Sequence, residues 1–249
     1  VLFVSAFFQV FYVKIDIILK IIIKYIYMLL SQLLKQILKL PYHSNPQKTP
    51  YHELALRKIF IDNGFKEFSS SSKTFNQKEF WKNHLVPNWD KHNNIPNNVF
   101  ISQPFGSQAT PDFIFKYKNI LIPLEAKSSK DTKPAYNGTL PHHYCIYAFT
   151  SQKYDKHTIF LGKDVVGHKE RQFLENLSYK IELIIKEAEA EYYKENTDQT
   201  QRGFHLYHRA KYQQKCEHIS CSNNYFTHPN KDKCEKNVIE WIESLENLN

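Results

Sequence analysis

Residues Pro111–Lys127 read PDFIFKYKNILIPLEAK, and the fold turns on how this stretch is read. Two apolar runs, FIF and ILIPL, flank a polar turn at Lys116–Asn119. Their alternation and their β-branched and aromatic content predict a hairpin of two strands. Side chains two apart on a strand share a face, so Glu125 and Lys127 project together while Ala126 turns into packing. Pairing of the hairpin sets Asp112, at the start of the first strand, beside Glu125, near the end of the second. Two adjacent carboxylates can share a divalent cation, here with an ammonium next to it, an arrangement suited to metal-assisted attack on a phosphodiester. The plain alternative is a structural salt bridge between Glu125 and Lys127; exposed pairs of that kind contribute little and do not call for Asp112.

Upstream of the hairpin, Thr49-Pro50 reads as an N-cap with proline at the first helical position, and Gly64 as the left-handed end of that helix. Leu54, Ile59 and Phe60 are its expected core positions. Glu53 lies in its first turn, where an acid complements the helix dipole; alternatively it is a third acid of the metal site. Ser69–Ser72 reads as a loop, Gln77–Leu85 as a short helix with Phe80, Trp81 and Leu85 inward, and Val99–Pro104 as a strand. Gly106, Ser107 and Gln108 make a small, polar approach to Asp112.

Downstream, Ser128, Ser129, Lys130 and Lys133 place hydroxyls and cations beside the acids, and Asn137-Gly138 is a turn signal. Such a loop either grips phosphate oxygens or is simply solvated. His142 and His143 read as surface residues. YCIYAFT (Tyr144–Thr150) and HTIFL (His157–Leu161) are further strands, followed by a helical region over Val165–Lys194 with a stripe at Phe173, Leu177, Ile181, Leu183, Ile184 and Ile185. The segment Arg202–Gln214, with Arg209 and Lys211, alternates basic and aromatic residues and suits DNA contact, or else forms a polar surface helix. Cys216, Cys221, His228 and Cys234 are zinc-ligand types, at gaps that fit no common zinc spacing. Cys234–Leu248 is a last amphipathic helix with Val238, Ile239, Trp241, Ile242 and Leu245 inward.

The chain has 249 residues, 42% hydrophobic and 15% aromatic, which excludes a disordered polymer. Its formal net charge of +8 favours a polyanionic partner, usually nucleic acid. Four cysteines are too few for a disulfide scaffold of this size, and a reducing cytoplasm is expected. The apolar stretch Val1–Tyr27 lacks the layout of a signal peptide, and Lys14, Asp16, Lys20 and Lys24 interrupt it as a membrane span. Translation is expected to start at Met28, the single methionine, with an apolar helix or membrane anchor as the alternative for residues 1–27. Met28–Leu40 is then an amphipathic helix, residues 28–48 that helix and a linker, and residues 49–249 the main domain with a helical, DNA-contacting region from about residue 200. The order of helix, several strands and helix implies an α/β domain with a mixed central β-sheet flanked by helices.

Pro111-Asp112 followed by Glu125-Ala126-Lys127 across two apolar strands resembles the PD-(D/E)xK nuclease superfamily. The EAKSS run, the polar loop to PAYNGTLP and the IYAF strand most resemble a type II restriction endonuclease. The resemblance implies a restriction-endonuclease-like fold and Mg²⁺-dependent cleavage of double-stranded DNA at a short specific site. It also implies a homodimer, a cognate DNA methyltransferase as genetic partner, and no membrane. Carried onto this sequence, Asp112 and Glu125 would ligate Mg²⁺ with the Ala126 carbonyl, Lys127 would orient the attacking water, and Glu53 would be the auxiliary acid. Ser128, Ser129, Lys130, Asn137, Arg202 and Arg209 are the expected DNA contacts. No histidine is required, and His84 and His92, beside asparagines, lack a metal-finger pattern. A repair or recombination nuclease of the same fold, or a non-catalytic DNA-binding module, are the alternatives.

Overall fold

A computed structural model describes residues 29–42, 51–69, 76–87, 89, 94–195, 205–214 and 223–246. The expected start at Met28, residues 1–27, the Thr49-Pro50 cap, Ser70–Ser72, His92, Arg202, Cys216 and Cys221 lie outside the described residues.

Six strands form one mixed sheet: β1 (Lys66–Glu67), β2 (Val99–Ser102), β3 (Phe113–Tyr117), β4 (Ile120–Ser129), β6 (Ile146–Ser151) and β7 (Lys156–Leu161), adjacent in that order. β1 runs parallel to β2 and β4 parallel to β6; the other neighbours are antiparallel. A separate two-stranded ribbon pairs β5 (Tyr136–Asn137) with β8 (Lys211–Tyr212). The hairpin turn is tighter than its polarity suggests. Lys116 and Tyr117 belong to β3 and pair with Leu121 and Ile120, leaving only Lys118 and Asn119 to turn the chain. Lys118 takes the positive φ of 50° that this connection needs.

Both faces of the sheet are covered, so the strands are apolar on both sides. On β3, Phe113, Phe115 and Tyr117 point to one core and Ile114 to the other; on β4, Ile122, Leu124 and Ala126 join the first and Leu121 the second. Three helices close the first core: α1 (Leu30–Ile37), α2 (Tyr51–Asp62) and α6 (Lys231–Glu246). α1 buries Leu30, Leu33, Leu34 and Ile37, the i, i+3, i+4, i+7 face of a helix, and so is part of the same core as the sheet. The Glu246 carboxylate ties it to α6 by accepting from the Ser31 N–H at 3.0 Å and hydroxyl at 2.9 Å. α2 ends before Gly64, which adopts φ +84°. Its inward face is Leu56 and Phe60, one turn apart, whereas Leu54 is 42% exposed, about 200° around the helix from Leu56. Phe60 packs edge-on against Phe100, Phe113 and Phe115, with centroids 5.2, 5.1 and 4.7 Å away.

The second face is closed by α3 (Gln77–Asn83), capped by the Asn76 side-chain Oδ1 accepting from the Glu79 N–H, and by Trp89 and Ile95 from the irregular segment before β2. Around Tyr147, Phe149 and Phe160 a third cluster gathers Tyr136, Cys145 and Tyr225. After β7, the expected single helix is split into α4 (Gly162–Val165) and α5 (His168–Glu195), with Val166 extended between them. In α6, Val238 and Ile242 are fully buried, with Ile239, Trp241 and Leu245 packed beside them.

Candidate active site

Beyond the last β3–β4 pair, Phe113 and Leu124, the register continues to Asp112 opposite Glu125. The two acids are cross-connected. The Asp112 N–H donates to Glu125 Oε2 at 3.1 Å, and Asp112 Oδ2 accepts from the Ala126 N–H at 2.8 Å. Lys127 Nζ reaches Glu125 Oε1 at 2.5 Å, with the Thr110 hydroxyl on the same oxygen at 3.4 Å. Ala126 points into the helix-covered core, so alternation puts Glu125 and Lys127 on the opposite face. The Glu125–Lys127 pair is no exposed bridge, because the side chains are 5% and 21% accessible.

Gln103 completes the group, with no sequence signal for it beyond its place nine residues before Asp112. Its side-chain amide donates to Asp112 Oδ1 at 3.2 Å and to Glu53 Oε2 at 3.1 Å, so one nitrogen spans α2 and the hairpin. Its backbone N–H donates to the Asp112 carbonyl at 2.7 Å, and a positive φ of 49° turns the chain there. Its Oε1 is buried without a hydrogen-bond partner among the described residues. Glu53 therefore does stand at the cluster, joined to Asp112 through Gln103.

Three acids around one lysine in a partly dry site cannot all ionise freely. Burial raises the Glu125 carboxyl to about 7, the negative charge of Asp112 adds to the rise, and Lys127 opposes it. Burial likewise pushes Asp112 up against the Ala126 N–H and Lys127. Glu53 rises through burial and then the charge of Asp112. His52, beside Glu53 on α2, is lowered to about 4 by burial and by His157 and Lys127, so it is neutral near pH 7.

The donors have the chemistry of a magnesium site: hard carboxylate oxygens whose excess negative charge an added cation would offset. A strand residue's N–H and C=O lie on the same edge, so the Ala126 carbonyl is directed to the Asp112 side as its N–H is. Among the described residues, no group of three or more His, Cys, Asp or Glu side chains stands in position to hold a metal ion. Glu125 is instead occupied by Lys127 and the Asp112 N–H, and Asp112 by Ala126 and Gln103.

The polar surround is partly assembled. Ser128 and Lys130 are exposed at the end of β4, while the Ser129 hydroxyl accepts from the Asp131 N–H at 3.0 Å and so stabilises a turn. The β5–β8 ribbon pairs Asn137 with Lys211 and zips the loop after β4 to the basic segment. That segment is extended around β8, where a surface helix was the alternative, and Arg209 Nη2 reaches Gln108 Oε1 at 3.5 Å, on the approach to Asp112. His142 and His143 are half-buried, contrary to the surface expectation. The His142 ring stacks on Trp81 at 3.6 Å and 8°, and burial lowers it to about 4, while His143 Nε2 accepts from Arg171 at 3.0 Å. His228 and Cys234 line one cavity with Asp164, and His228 Nδ1 accepts from the Asn230 N–H at 3.0 Å.

Among the described residues no helix is long and apolar enough to cross a membrane. Comparison of the chain with protein-family models, with curated proteins and with solved structures finds no match.

Proposed function

We propose that this protein is a Mg²⁺-dependent endonuclease that hydrolyses phosphodiester bonds of double-stranded DNA at a short specific sequence, in the manner of a type II restriction enzyme with a restriction-endonuclease-like fold. A cognate DNA methyltransferase is its genetic partner in this reading. The observation that carries it is the cross-connected pair Asp112 and Glu125 on adjacent strands, with Lys127 on Glu125 and Gln103 bridging to Glu53. A net charge of +8 supports a polyanionic substrate.

Asp112, Glu125 and the Ala126 carbonyl would hold the ion. When bound, Mg²⁺ polarises the phosphoryl group and makes water a better nucleophile near neutral pH. Lys127 then exchanges its contact with Glu125 for the incoming water or a phosphate oxygen, orienting the one and offsetting developing charge on the other. Gln103 keeps Asp112 and Glu53 apart by a fixed distance through its two donated hydrogen bonds. Lys130, Ser128, Asn137 and Arg209 are the candidate phosphate and groove contacts beside this centre.

Incubation with plasmid DNA and Mg²⁺ tests the proposal: discrete fragments are expected. Asp112→Asn and Lys127→Ala should each lower the cleavage rate by at least about 10²-fold, the scale of removing one preorganised electrostatic group. Undiminished cutting in either variant refutes the mechanism. Cutting confined to branched or damaged DNA would replace the restriction reading by a repair or recombination nuclease, and binding without cutting by a non-catalytic module.

A further inference from the structure

Glu53 stands one amide away from Asp112, and that amide decides how many cations the acid cluster can hold. Gln103 Nε2 donates to Glu53 Oε2 at 3.1 Å and to Asp112 Oδ1 at 3.2 Å, so both of its hydrogens are spent on carboxylates. Charge fixes which way round the amide lies. The reverse placement would set its oxygen against two carboxylate oxygens, which have no hydrogen to donate when ionised. The backbone of Gln103 is clamped to the same acid. Its N–H donates to the Asp112 carbonyl at 2.7 Å, and its carbonyl accepts from the Gly106 N–H at 3.0 Å. The residue lies just past the end of β2, where Ser102 pairs with Phe113.

A second divalent ion at Asp112 would need hard oxygen donors of its own beside that residue. In the nuclease reading Asp112 and Glu125 hold the first ion with the Ala126 carbonyl, and Glu53 is the further acid reached from Asp112 Oδ1. Between those two acids lies Gln103 Nε2, a neutral donor in the place a second cation would take. Charge gives the same count. When ionised, Glu53, Asp112 and Glu125 carry three negative charges, against the single positive charge of Lys127 on Glu125. One divalent ion offsets the remainder in full. A second would leave two positive charges in a partly dry site, where uncompensated charge is costly.

We infer that Gln103 takes the place of a second metal ion, so that the DNA-free protein binds a single divalent cation, on Asp112 and Glu125, and Glu53 acts only through Gln103. Gln103 and Glu53 are then positioning residues. The inference rests on the nuclease reading for the first ion, and its test counts bound ions and not cuts. Mn²⁺ takes the same hard oxygen donors as Mg²⁺, and binding removes its free-ion electron paramagnetic resonance signal. Titrated into the full, chelator-stripped chain, it should bind as one ion to wild type, and that ion should be lost in Asp112→Asn. Gln103→Ala, which empties the place of Nε2 without adding an acid, should bind two. Gln103→Glu keeps the shape of the side chain and should also bind two; it serves if far-UV circular dichroism shows the alanine variant unfolded. Two ions on wild type overturn the inference and leave the nuclease reading standing. A folded Gln103 variant that stays at one ion overturns it too, as does a single wild-type ion that survives Asp112→Asn. No ion on wild type overturns the metal centre of the nuclease reading, and this inference with it.

Discussion

Glu125→Gln separates the electrostatics of the acid cluster from its packing. The Glu125 side chain is 5% accessible, and burial beside Asp112 raises its carboxyl from 4.5 to about 7. A carboxyl raised on folding binds a proton in the folded state that the unfolded chain releases. Its contribution to stability is thus fully present below about pH 4.5 and is lost as pH rises through 7. At about 1.36 kcal/mol per pH unit, that rise corresponds to a loss of up to about 3 kcal/mol in the metal-free protein. For a chain of this size the loss is about 6–12 °C in Tm. Glutamine keeps the shape and removes the titration. Scanning calorimetry in chelator from pH 4.5 to 8 should show wild type and variant together at the acid end. Above pH 5 the variant should become progressively the more stable of the two. Adding Mg²⁺ at pH 8 should then raise the wild-type Tm and leave the variant unmoved. Parallel pH profiles for the two proteins would refute this account of Glu125.

Packing supplies two further tests. Phe60→Ala removes the ring on which Phe100, Phe113 and Phe115 converge and should cost about 3–5 kcal/mol, read by urea titration; a cost below 1 kcal/mol would show that the site collapses around the gap. Gly162→Ala should lower Tm, because a Cβ there meets the His142 carbonyl and the Pro141 carbon, backbone atoms that cannot move aside like the end of a side chain. A loss of about 1–3 kcal/mol is expected, and an unchanged Tm would show that this approach is looser than described.

Local chemistry accounts for what could be read from the residues in order. Strand alternation on Pro111–Lys127 was enough to pair Asp112 with Glu125, because register in a tight hairpin is set by the turn and by which face must be apolar. The face of α1 and of α6 was likewise written in their 3.6-residue spacing. Spacing alone could not say which of two apolar faces is covered. Leu54, Phe173, Leu177, Ile181 and Ile184 look like core in sequence and are exposed, because burial depends on what the rest of the chain brings against them. Gln103 was illegible for the same reason. An amide gains its meaning from the two carboxylates that tertiary packing sets around it, one from α2 and one just before β3, 50 and nine residues away in the chain. The sequence by itself determined the acid pair, its lysine and the strands that carry them. Only the tertiary structure decided how dry that group is, what bridges it to Glu53, and which helix is left with an apolar face outward, since desolvation and coverage are properties of the assembled volume.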